Sequence, residues 1–466
     1  MALSNEAVVA HLQQMLPADR VVTDEAELRR SSVDNFRKLQ NIFGVHTMRL
    51  PLAVVHVAST DEVSAVLKFA DEHGVNVVAR TGGTATEGGL ESGAPQSIVV
   101  DGSMLNQIIS IDPYNMQATA QCGVPLQLLE DKARELGLTT GHSPQSKPIA
   151  SMGGLVATRS IGQFSTLYGG IEDMVVGCEV VFPGGQVSRI KNVPRRAAGP
   201  DIRHIVIGNE GALCYITEVT VKLIPLPAPP CTAVAYFPDL PSAGDAILQI
   251  FREGFEPSLM EIVDQACLRQ VNAVYGMGLD TDAACLLLIQ SSGDRAEWAI
   301  ERMAALCVQH GATEVHHVAD PAEGDMFVEV RRRVWPAFER LGKAMLPEDV
   351  AVPRERLAEL LAGIVEIGER HRVALPTIGH AGDGNMHPLL VFDGNDADEA
   401  ARAQAAFADI VALALSLGGT IAGEHGVGTL KRRFVEQEVE AVHLGWQHRV
   451  KATFDPTGML NPGKAL

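Results

Sequence analysis

The chain has 466 residues, of which 46% are hydrophobic. Its mean hydropathy is +0.09 and its formal charge is −19. This length and composition predict two or three folded domains, and an acidic chain without a dense Lys/Arg run argues against nucleic-acid binding. No apolar run approaches the ~20 residues of a membrane span, and residues 1–6 lack the features of a signal peptide. We therefore expect a cytoplasmic protein, with peripheral membrane association left open.

The seven cysteines are scattered along the chain without a CxxC pair. An odd number at irregular spacing argues against a disulfide framework and against a cysteine-bound iron–sulfur cluster. We expect a reducing compartment, with most of the thiols buried as small hydrophobic groups.

A strand, a helix and a second strand are predicted near the start of the chain. Residues 53–58 predict the first strand, and Ser59 with Glu62 three residues later predicts a helix-capping box. Gly74 is a typical residue at a helix end, and residues 76–80 predict the second strand. This order favours a parallel sheet.

Three glycine-rich tracts follow, at residues 81–89, 140–154 and 208–213. The first comes directly after a predicted strand, and its backbone N–H groups could wrap a pyrophosphate. It matches neither the dinucleotide-binding nor the Walker A pattern, so an ordinary turn is the alternative. Three such tracts favour an extended ligand that is contacted along its length.

The proline-rich segment 225–230 is the clearest predicted linker. Before it we predict strands at 97–101, 106–111 and 117–122 and a helix at about 126–136. After it we predict strands at 232–237 and 285–290 and helices at about 241–253, 294–310 and 399–417. The alternation after the linker favours an α+β domain with an antiparallel sheet.

His380 and His387 flank Asp383-Gly384, a dipeptide typical of a two-residue hairpin turn. A turn centred there pairs residue 380 with residue 387 and places the two imidazoles on one face, with Cβ atoms roughly 5 Å apart. This suits convergence on one divalent cation or on one substrate. Glu424 could complete a His/His/Glu metal set and leave His425 to move protons. A polar turn followed by a glycine-rich loop is the alternative.

These motifs resemble the FAD-linked oxidoreductases of the vanillyl-alcohol-oxidase type, from about residue 48 to residue 466. The N-terminal half is most similar to alkyl-dihydroxyacetonephosphate synthase, in segments 140–142, 158–159, 171–176 and 199–204. The C-terminal half is more similar to D-lactate dehydrogenase, the glycolate oxidase flavin subunit and D-2-hydroxyglutarate dehydrogenase, in segments 380–387, 423–426 and 454–464.

The resemblance implies an α+β fold in three parts. An N-terminal helical segment (1–47) precedes a p-cresol-methylhydroxylase (PCMH)-type FAD-binding domain of two α/β subdomains (48–226). An α+β substrate, or cap, domain with an antiparallel sheet follows (227–466), and its last ~45 residues return to the flavin site.

The resemblance also implies a cofactor. Residues 79–85 would hold the FAD pyrophosphate, 145–151 and 157–160 would line the flavin, and 210–216 would hold the adenine side. The residues assigned to FAD are Arg80, Thr81, Gly82, Gly83, Thr84, Ala85, Gln145, Ser146, Ser151, Gly154, Thr158, Arg159, Ser160, Glu210, Gly211, Ile216 and Asn385. Some family members attach FAD covalently through a histidine or cysteine, and the histidine often lies in the first loop. This loop has neither, so we expect noncovalent FAD.

The C-terminal motifs imply the chemistry. In the 2-hydroxy-acid dehydrogenases that share them, the histidine pair and the glutamate can hold a metal and the next histidine is the base. This implies His380, His387 and Glu424 as ligands of zinc, manganese or iron and His425 as the base. Arg331, or its neighbour Arg332, would bind a substrate carboxylate; a solvated helix face is the alternative.

The implied reaction is oxidation of a D-2-hydroxy acid (lactate-, glycolate- or 2-hydroxyglutarate-like) to the 2-oxo acid. The hydroxyl proton passes to His425 and the hydride to flavin N5. Because no cysteine cluster is present, a separate acceptor is expected, namely quinone, cytochrome, electron-transfer flavoprotein or oxygen. We also expect a homo-oligomer.

Two alternatives remain. One is an ether-lipid synthase, which residues 423–425 disfavour because two of the three histidines in that enzyme's run are absent. The other is a flavin subunit of a larger oxidase complex.

Overall fold

The structure is a computed structural model that describes residues 3–34, 49–193, 195 and 197–465. The chain divides into two compact units. The first unit comprises residues 1–160, 170–226 and 424–466, and the second comprises 161–169 and 227–423. The predicted N-terminal helical segment contains helices Asn5–Met15 and Glu25–Ser31, and its residues 35–47 lie outside the described residues. The domain boundaries proposed from the sequence stay a prediction.

A four-stranded sheet opens the first unit. Its strands lie in the order Val21–Val22, Val54–His56, Ser97–Asp101 and Asn76–Arg80. The last three are parallel, as the predicted strand–helix–strand unit requires. The connecting helix Thr60–His73 begins after Ser59, whose side chain accepts a hydrogen bond from the Glu62 N–H, and it ends at Gly74 with φ +69°. The predicted N-cap, helix and strands are confirmed here. The second bond of the predicted capping box differs, because the Glu62 carboxylate accepts from the N–H of Ala58 and not from that of Ser59.

A second sheet in the first unit is antiparallel. Its five strands lie in the order Ile108–Asp112, Gln117–Gln121, Tyr215–Lys222, Val175–Val181 and Val187–Ile190. A short ladder joins Leu138–Thr139 to Ile224–Pro225. The other α-helices of this unit are Leu126–Arg134, Met152–Thr158, Ile171–Met174, Ile202–Val206, Val435–Glu438 and Ala441–Phe454.

The end of the chain extends the parallel sheet. The Val77 N–H donates to the carbonyl oxygen of Met459 over 2.9 Å, and the Asn461 N–H donates to that of Val77 over 2.8 Å. Met459 and Leu460 are buried in the same core as the helix Thr60–His73. These final residues are therefore part of the first unit's core.

The second unit is built on one antiparallel sheet. Its strands lie in the order Glu314–Val318, Cys231–Phe237, Cys285–Ser291, Leu259–Asp264, Thr377–His380, Asn385–Phe392 and Ala344–Pro347, and Val350–Ala351 also pairs with Asn385–Phe392. Its α-helices are Ser165–Tyr168, Leu240–Arg252, Gln265–Tyr275, Ala296–Gln309, Pro321–Arg332, Val334–Glu339, Leu357–His371 and Ala397–Ser416. The predicted antiparallel sheet is confirmed.

The hairpin that carries the two histidines has a different register from the one predicted. His380 pairs with Asn385, and His387 pairs with Ile378. The prediction that residue 380 pairs with residue 387 was therefore wrong. The shift is two residues, so both histidines still point to one face of the sheet and are diagonal neighbours.

Contacts within the second unit explain the longer turn. Residues 381–384 connect the two strands, and the hydroxyl of Ser165 donates a hydrogen bond to the carboxylate of Asp383. A Cβ on Gly384, where φ is +75°, would lie 2.1 Å from the carbonyl oxygen of Val352. The backbone of residues 381–384 is thus held by contacts with distant residues, which the Asp383-Gly384 dipeptide alone does not predict.

Among the described residues, no helix combines the length and apolarity needed to cross a membrane. All seven cysteines are buried, which confirms the prediction that most of them are small buried hydrophobic groups. The structure contains no disulfide between them.

Candidate active site

The first glycine-rich tract contacts the second at Ser151. The Gly82 N–H donates to Ser151 Oγ over 2.9 Å, and this hydroxyl donates to Thr81 Oγ1 over 2.6 Å. A Cβ on Gly82 would lie 2.6 Å from the carbonyl oxygen of Ile149. Close approach of the loops therefore requires glycine at position 82, and it brings together two of the tracts assigned to FAD.

Arg80, at the end of the strand before this loop, is held by an ion pair. Its Nη1 lies 2.5 Å from Asp101 Oδ2. Burial opposes ionisation of Asp101, but hydrogen bonds from His56 and Ser103 and the charge of Arg80 lower its pKa to about 2. The aspartate is therefore charged at neutral pH and fixes the guanidinium beside the loop.

The third glycine-rich tract is tied to the helix Met152–Thr158. The N–H groups of Gly208 and Glu210 donate to the carbonyl oxygens of Val156 and Ala157, over 2.9 and 2.8 Å. All three tracts of the first unit thus meet around one short helix and the loop before it.

Buried polar atoms of His142 and Thr86, in the first unit, have no hydrogen-bond partner among the described residues. Neither ring nitrogen of His142 has a hydrogen-bond partner among the described residues, although the residue is only 3% exposed. Burial lowers the pKa of His142 to about 4, so its ring is neutral at pH 7. The hydroxyl of Thr86 also lacks a partner within the described chain. Buried polar groups normally find partners, so these atoms, together with the glycine-rich tracts, fit a bound FAD that supplies them.

Glu210 holds a loop of the same unit. Its carboxylate accepts hydrogen bonds from the backbone N–H groups of Val427 and Gly428, each over 2.8 Å. Burial of the carboxylate raises the pKa of Glu210, and the two N–H groups act in the opposite direction. A Cβ on Gly426 would lie 2.9 Å from this carboxylate. The side chain assigned to FAD from the sequence thus supports the loop that carries His425.

Glu424 and His425 open that loop. The side chain of His425 is 23% exposed, and its Nε2 lies 4.0 Å from Glu424 Oε1. The N–H groups of Thr429 and Leu430 donate to the carbonyl oxygen of Glu87 over 2.9 and 3.1 Å. Because Glu87 lies in the first glycine-rich tract, just after residues 79–85 that are assigned to FAD, the loop that carries the candidate base is bonded to that tract.

His380 and His387 lie on neighbouring strands of the second unit. Their ring centroids are 5.3 Å apart with the planes at 85°, and one nitrogen of each ring lies within 4.8 Å of one in the other. Both residues are buried. Two imidazoles at this separation can bind the same ion, although the predicted third ligand, Glu424, belongs to the first unit.

Glu261 joins His380 to Arg331. It lies opposite His380 on the neighbouring strand and is fully buried. Arg331 Nε donates to its carboxylate over 2.8 Å, and His380 Nδ1 is hydrogen-bonded to its other oxygen. Burial opposes ionisation of Glu261, but the charges of His380 and Arg331 outweigh it and lower the pKa. Arg331 is therefore part of a buried ionic cluster, and the solvated helix face considered from the sequence is excluded.

Asp349 supports the second histidine of the pair. Its Oδ1 lies 3.6 Å from His387 Nδ1 and accepts a hydrogen bond from Asn385 Nδ2 over 2.7 Å. The Asn385 amide also donates to the carbonyl oxygen of Val350 over 3.1 Å. Metal-binding histidines usually have such a carboxylate beside the other ring nitrogen. Asn385, assigned to FAD from the sequence, here orients Asp349.

The residues assigned to FAD differ in exposure. Half-buried positions are Arg80, Thr81, Gly82, Gly83, Thr84, Ala85, Gly154, Thr158 and Glu210. Gln145, Ser146 and Arg159 are exposed, and Ser151, Ser160, Gly211, Ile216 and Asn385 are buried. Ile216 lies inside the strand Tyr215–Lys222, which makes it a core residue of the sheet.

Sequence reasoning missed four polar residues of these sites: Glu87, His142, Glu261 and Asp349. A signal was present for two of them. Glu261 interrupts the apolar strand Leu259–Asp264, and Glu87 is the one acidic residue between the glycines of segment 82–89. An acidic side chain in either setting needs a partner when buried.

Family models match both parts of the chain. The model of the FAD linked oxidases, C-terminal domain, matches residues 226–465, and an FAD binding domain matches residues 51–191. The chain belongs to the FAD-linked oxidase family. The family and the FAD-binding domain inferred from the motifs are thereby confirmed.

Relatives of this FAD-linked oxidase include the FAD-linked oxidoreductase YgcU of Escherichia coli (strain K12), 54% identical over 63% of this chain. That match spans 60% of YgcU, less than two thirds of its length. The glycolate oxidase subunit GlcD of Bacillus subtilis is 34% identical over 89% of each chain. The mitochondrial D-lactate dehydrogenase [cytochrome] of Arabidopsis thaliana is 30% identical over 99% of this chain and 82% of its own.

Solved structures establish the fold of this FAD-linked oxidase. p-Cresol methylhydroxylase matches with a TM-score of 0.81 and 18% identity, over 100% of this chain and 97% of its own. Alkyldihydroxyacetonephosphate synthase matches with a TM-score of 0.74 and 20% identity, over 99% and 85%. The PCMH-type FAD-binding fold predicted from the sequence is confirmed.

Proposed function

We propose that this FAD-linked oxidase is a dehydrogenase that oxidises a small D-2-hydroxy acid to the corresponding 2-oxo acid. Support comes from relatives named glycolate oxidase subunit and D-lactate dehydrogenase, which align with most of the chain. The observation that carries the proposal is the anchoring of the His425 loop to Glu87 in the first glycine-rich tract. A candidate base is thereby fixed on the unit that holds the FAD-binding tracts.

His425 takes the proton of the substrate hydroxyl in this proposal. It is the accessible imidazole of its loop, and an imidazole is suited to proton transfer near neutral pH. FAD, when bound, supplies two-electron redox chemistry. The loop contacts from Glu210 and Glu87 keep the imidazole in place during the reaction, which is the positioning that general-base catalysis requires.

His380 and His387 are the proposed holders of a divalent metal, with Glu424 as the third ligand that the family resemblance implies. Zinc, manganese or iron(II) suits two imidazoles and a carboxylate, and such a metal would supply Lewis-acid chemistry at the substrate oxygens. Glu261 and Asp349, each beside one imidazole, orient the rings. A carboxylate beside each imidazole is typical of metal-binding histidines, and it supports a metal site here over a histidine pair with only a structural role.

Arg331 is the proposed contact for the substrate carboxylate. Its Nε is bonded to Glu261, and a charged guanidinium held in place in this way suits a carboxylate. Glu261 would then position both the arginine and His380.

The test is anaerobic mixing of the purified flavoprotein with both enantiomers of lactate and 2-hydroxyglutarate, and with glycolate. We expect bleaching of the oxidised flavin by a D-enantiomer or glycolate, and much slower bleaching by the L-enantiomers. Absence of bleaching with all five acids, in protein that dithionite still reduces, would contradict the proposal.

The second candidate is a flavin subunit of a larger oxidase. The printed name of the Bacillus subtilis relative, a glycolate oxidase subunit, favours it. Both candidates need an electron acceptor such as a quinone, cytochrome, electron-transfer flavoprotein or oxygen. Steady turnover of the isolated chain with an artificial acceptor favours the first candidate, and turnover only after adding a co-purified partner favours the second.

A further inference from the structure

Glu87 is a residue of the first unit whose buried carboxylate has no role in the reaction proposed above. Its exposure is 1%, although it lies in a glycine-rich loop. Its Oε1 lies 3.5 Å from Nδ1 of His425 and 3.8 Å from Nζ of Lys431. A glycine-rich phosphate-binding loop needs no acidic side chain, and a negative charge there opposes phosphate binding.

Backbone contacts hold Glu87 beside His425. Its carbonyl oxygen accepts hydrogen bonds from the N–H groups of Thr429 and Leu430. A Cβ on Gly428 would lie 2.0 Å from the same oxygen, so the two segments approach as closely as glycine allows. These backbone contacts bring the two loops together where the Glu87 carboxylate lies 3.5 Å from Nδ1 of His425.

The burial of the Glu87 carboxylate means that its charge needs partners within the protein. Burying an ionised carboxylate without a compensating charge strongly destabilises a protein. Lys431, whose side chain is 0% exposed, supplies one compensating charge. Charge balance with Lys431 alone does not require the carboxylate to face Nδ1 of His425, so the second contact needs its own explanation.

We propose that Glu87 is a positioning residue for His425. It accepts a hydrogen bond from Nδ1–H and so holds the ring in the tautomer whose Nε2 is free of a proton and can receive one. The 3.5 Å separation is long for a hydrogen bond, and such contacts commonly shorten when substrate binds. The carboxylate also stabilises the imidazolium that proton transfer produces.

This inference rests on the proposed function, because it assumes that His425 is the base. The first measurement is the anaerobic flavin-reduction rate of Glu87→Gln, His425→Ala and the double variant, with D-lactate, glycolate and D-2-hydroxyglutarate as probes. We expect Glu87→Gln to lower the limiting rate about 10- to 100-fold with half-saturation little changed. In the His425→Ala background the same change should have an effect of less than about twofold.

A matched pair of variants separates this role from charge balance. Lys431→Met is compared with Glu87→Met/Lys431→Met, which removes both buried charges and keeps similar side-chain volumes. If Glu87 only balances Lys431, the two variants reduce flavin equally fast. If Glu87 positions His425, the double variant is at least about 10-fold slower than Lys431→Met.

The tautomer of His425 gives a readout that does not depend on substrate. ¹⁵N-histidine-labelled protein is examined by two-bond ¹H–¹⁵N correlation, with the His425 signals identified by their loss in His425→Ala. We expect the Nδ1–H tautomer in Lys431→Met and its loss in Glu87→Met/Lys431→Met. An unchanged tautomer would overturn the inference. A wild-type reduction rate in His425→Ala would remove His425 as the base and overturn the catalytic role of Glu87. Absence of flavin reduction in the wild-type protein with every probe would instead contradict the proposed function, while the spectra still decide the Glu87 contact.

Discussion

Nδ1 of His380 is hydrogen-bonded to the carboxylate of Glu261, which lies directly opposite it on the neighbouring strand. The second oxygen of this carboxylate accepts a hydrogen bond from Arg331. All three residues are buried, so the negative charge of Glu261 balances a positive charge inside the second unit and orients an imidazole at the same time. Removing it should therefore affect both stability and the site.

Glu261→Gln should destabilise the protein by roughly 3 kcal/mol, because it removes the negative charge of Glu261 from beside the buried guanidinium of Arg331. Urea unfolding measures the change. The control is Glu261→Met/Arg331→Met, which removes both charges and should recover most of the stability. A single variant within about 1 kcal/mol of wild type would show that the ionic cluster contributes little.

His425→Ala should abolish turnover and leave FAD bound. Loss of a general base typically lowers the rate about 10² to 10⁴-fold, whereas the three glycine-rich tracts remain intact. Flavin content and anaerobic reduction rate are measured together. The control is His443→Ala, which changes an exposed histidine of the helix Ala441–Phe454 and should keep the full rate. A rate for His425→Ala within about threefold of wild type would remove it from the mechanism.

The bound FAD should be noncovalent, because the first glycine-rich tract has neither histidine nor cysteine. Acid precipitation should release the yellow flavin into the supernatant. Flavin that remains with the precipitated chain would contradict this expectation.

A divalent metal should bind through His380 and His387. Chelation should lower activity, and one of zinc, manganese or iron(II) should restore it. His380→Ala/His387→Ala should lose the metal by elemental analysis, while His316→Ala, at an exposed histidine of the same unit, should keep it. Full activity in protein shown to be metal-free would leave the two histidines as hydrogen-bond donors.

His142 should make stability depend on pH. Burial lowers its pKa from 6.5 to about 4 in the folded chain, so the unfolded chain binds the extra proton between these values. Stability is therefore fully present above pH 6.5 and falls as the pH drops toward 4. Between pH 7 and 5, wild type should lose roughly 2 kcal/mol more than His142→Leu. Parallel curves for the two proteins, at matched flavin content, would rule out this contribution.

Local signals in the sequence predicted much of the fold. Ser59 with Glu62 and Gly74 bound a helix at the expected residues, because caps depend on side chains within one turn. The hairpin register was missed because the Asp383 carboxylate is bonded to Ser165, more than 200 residues away in the sequence. The residue preferences of hairpin turns do not take account of such a long-range contact.

The candidate site was predictable where residues cluster in sequence. The pair His380 and His387 could be read from one motif, and the structure places them together. Glu261 could not be found this way, since it reaches His380 only through strand pairing. Glu87 could be noticed as an acidic residue among glycines. Its role could not be predicted, because it depends on a contact with His425, which lies far along the chain.

The pairing of Asn461 with Val77 has a consequence for biosynthesis. The edge of the parallel sheet next to the first glycine-rich tract is completed by residues near position 460. A ribosome must therefore translate all of the second unit before this edge can form. Stable flavin uptake should therefore follow synthesis of that last segment. In a nascent chain stalled before residue 455, the strand before the first glycine-rich tract should lack the backbone pairing that residues 459–461 provide.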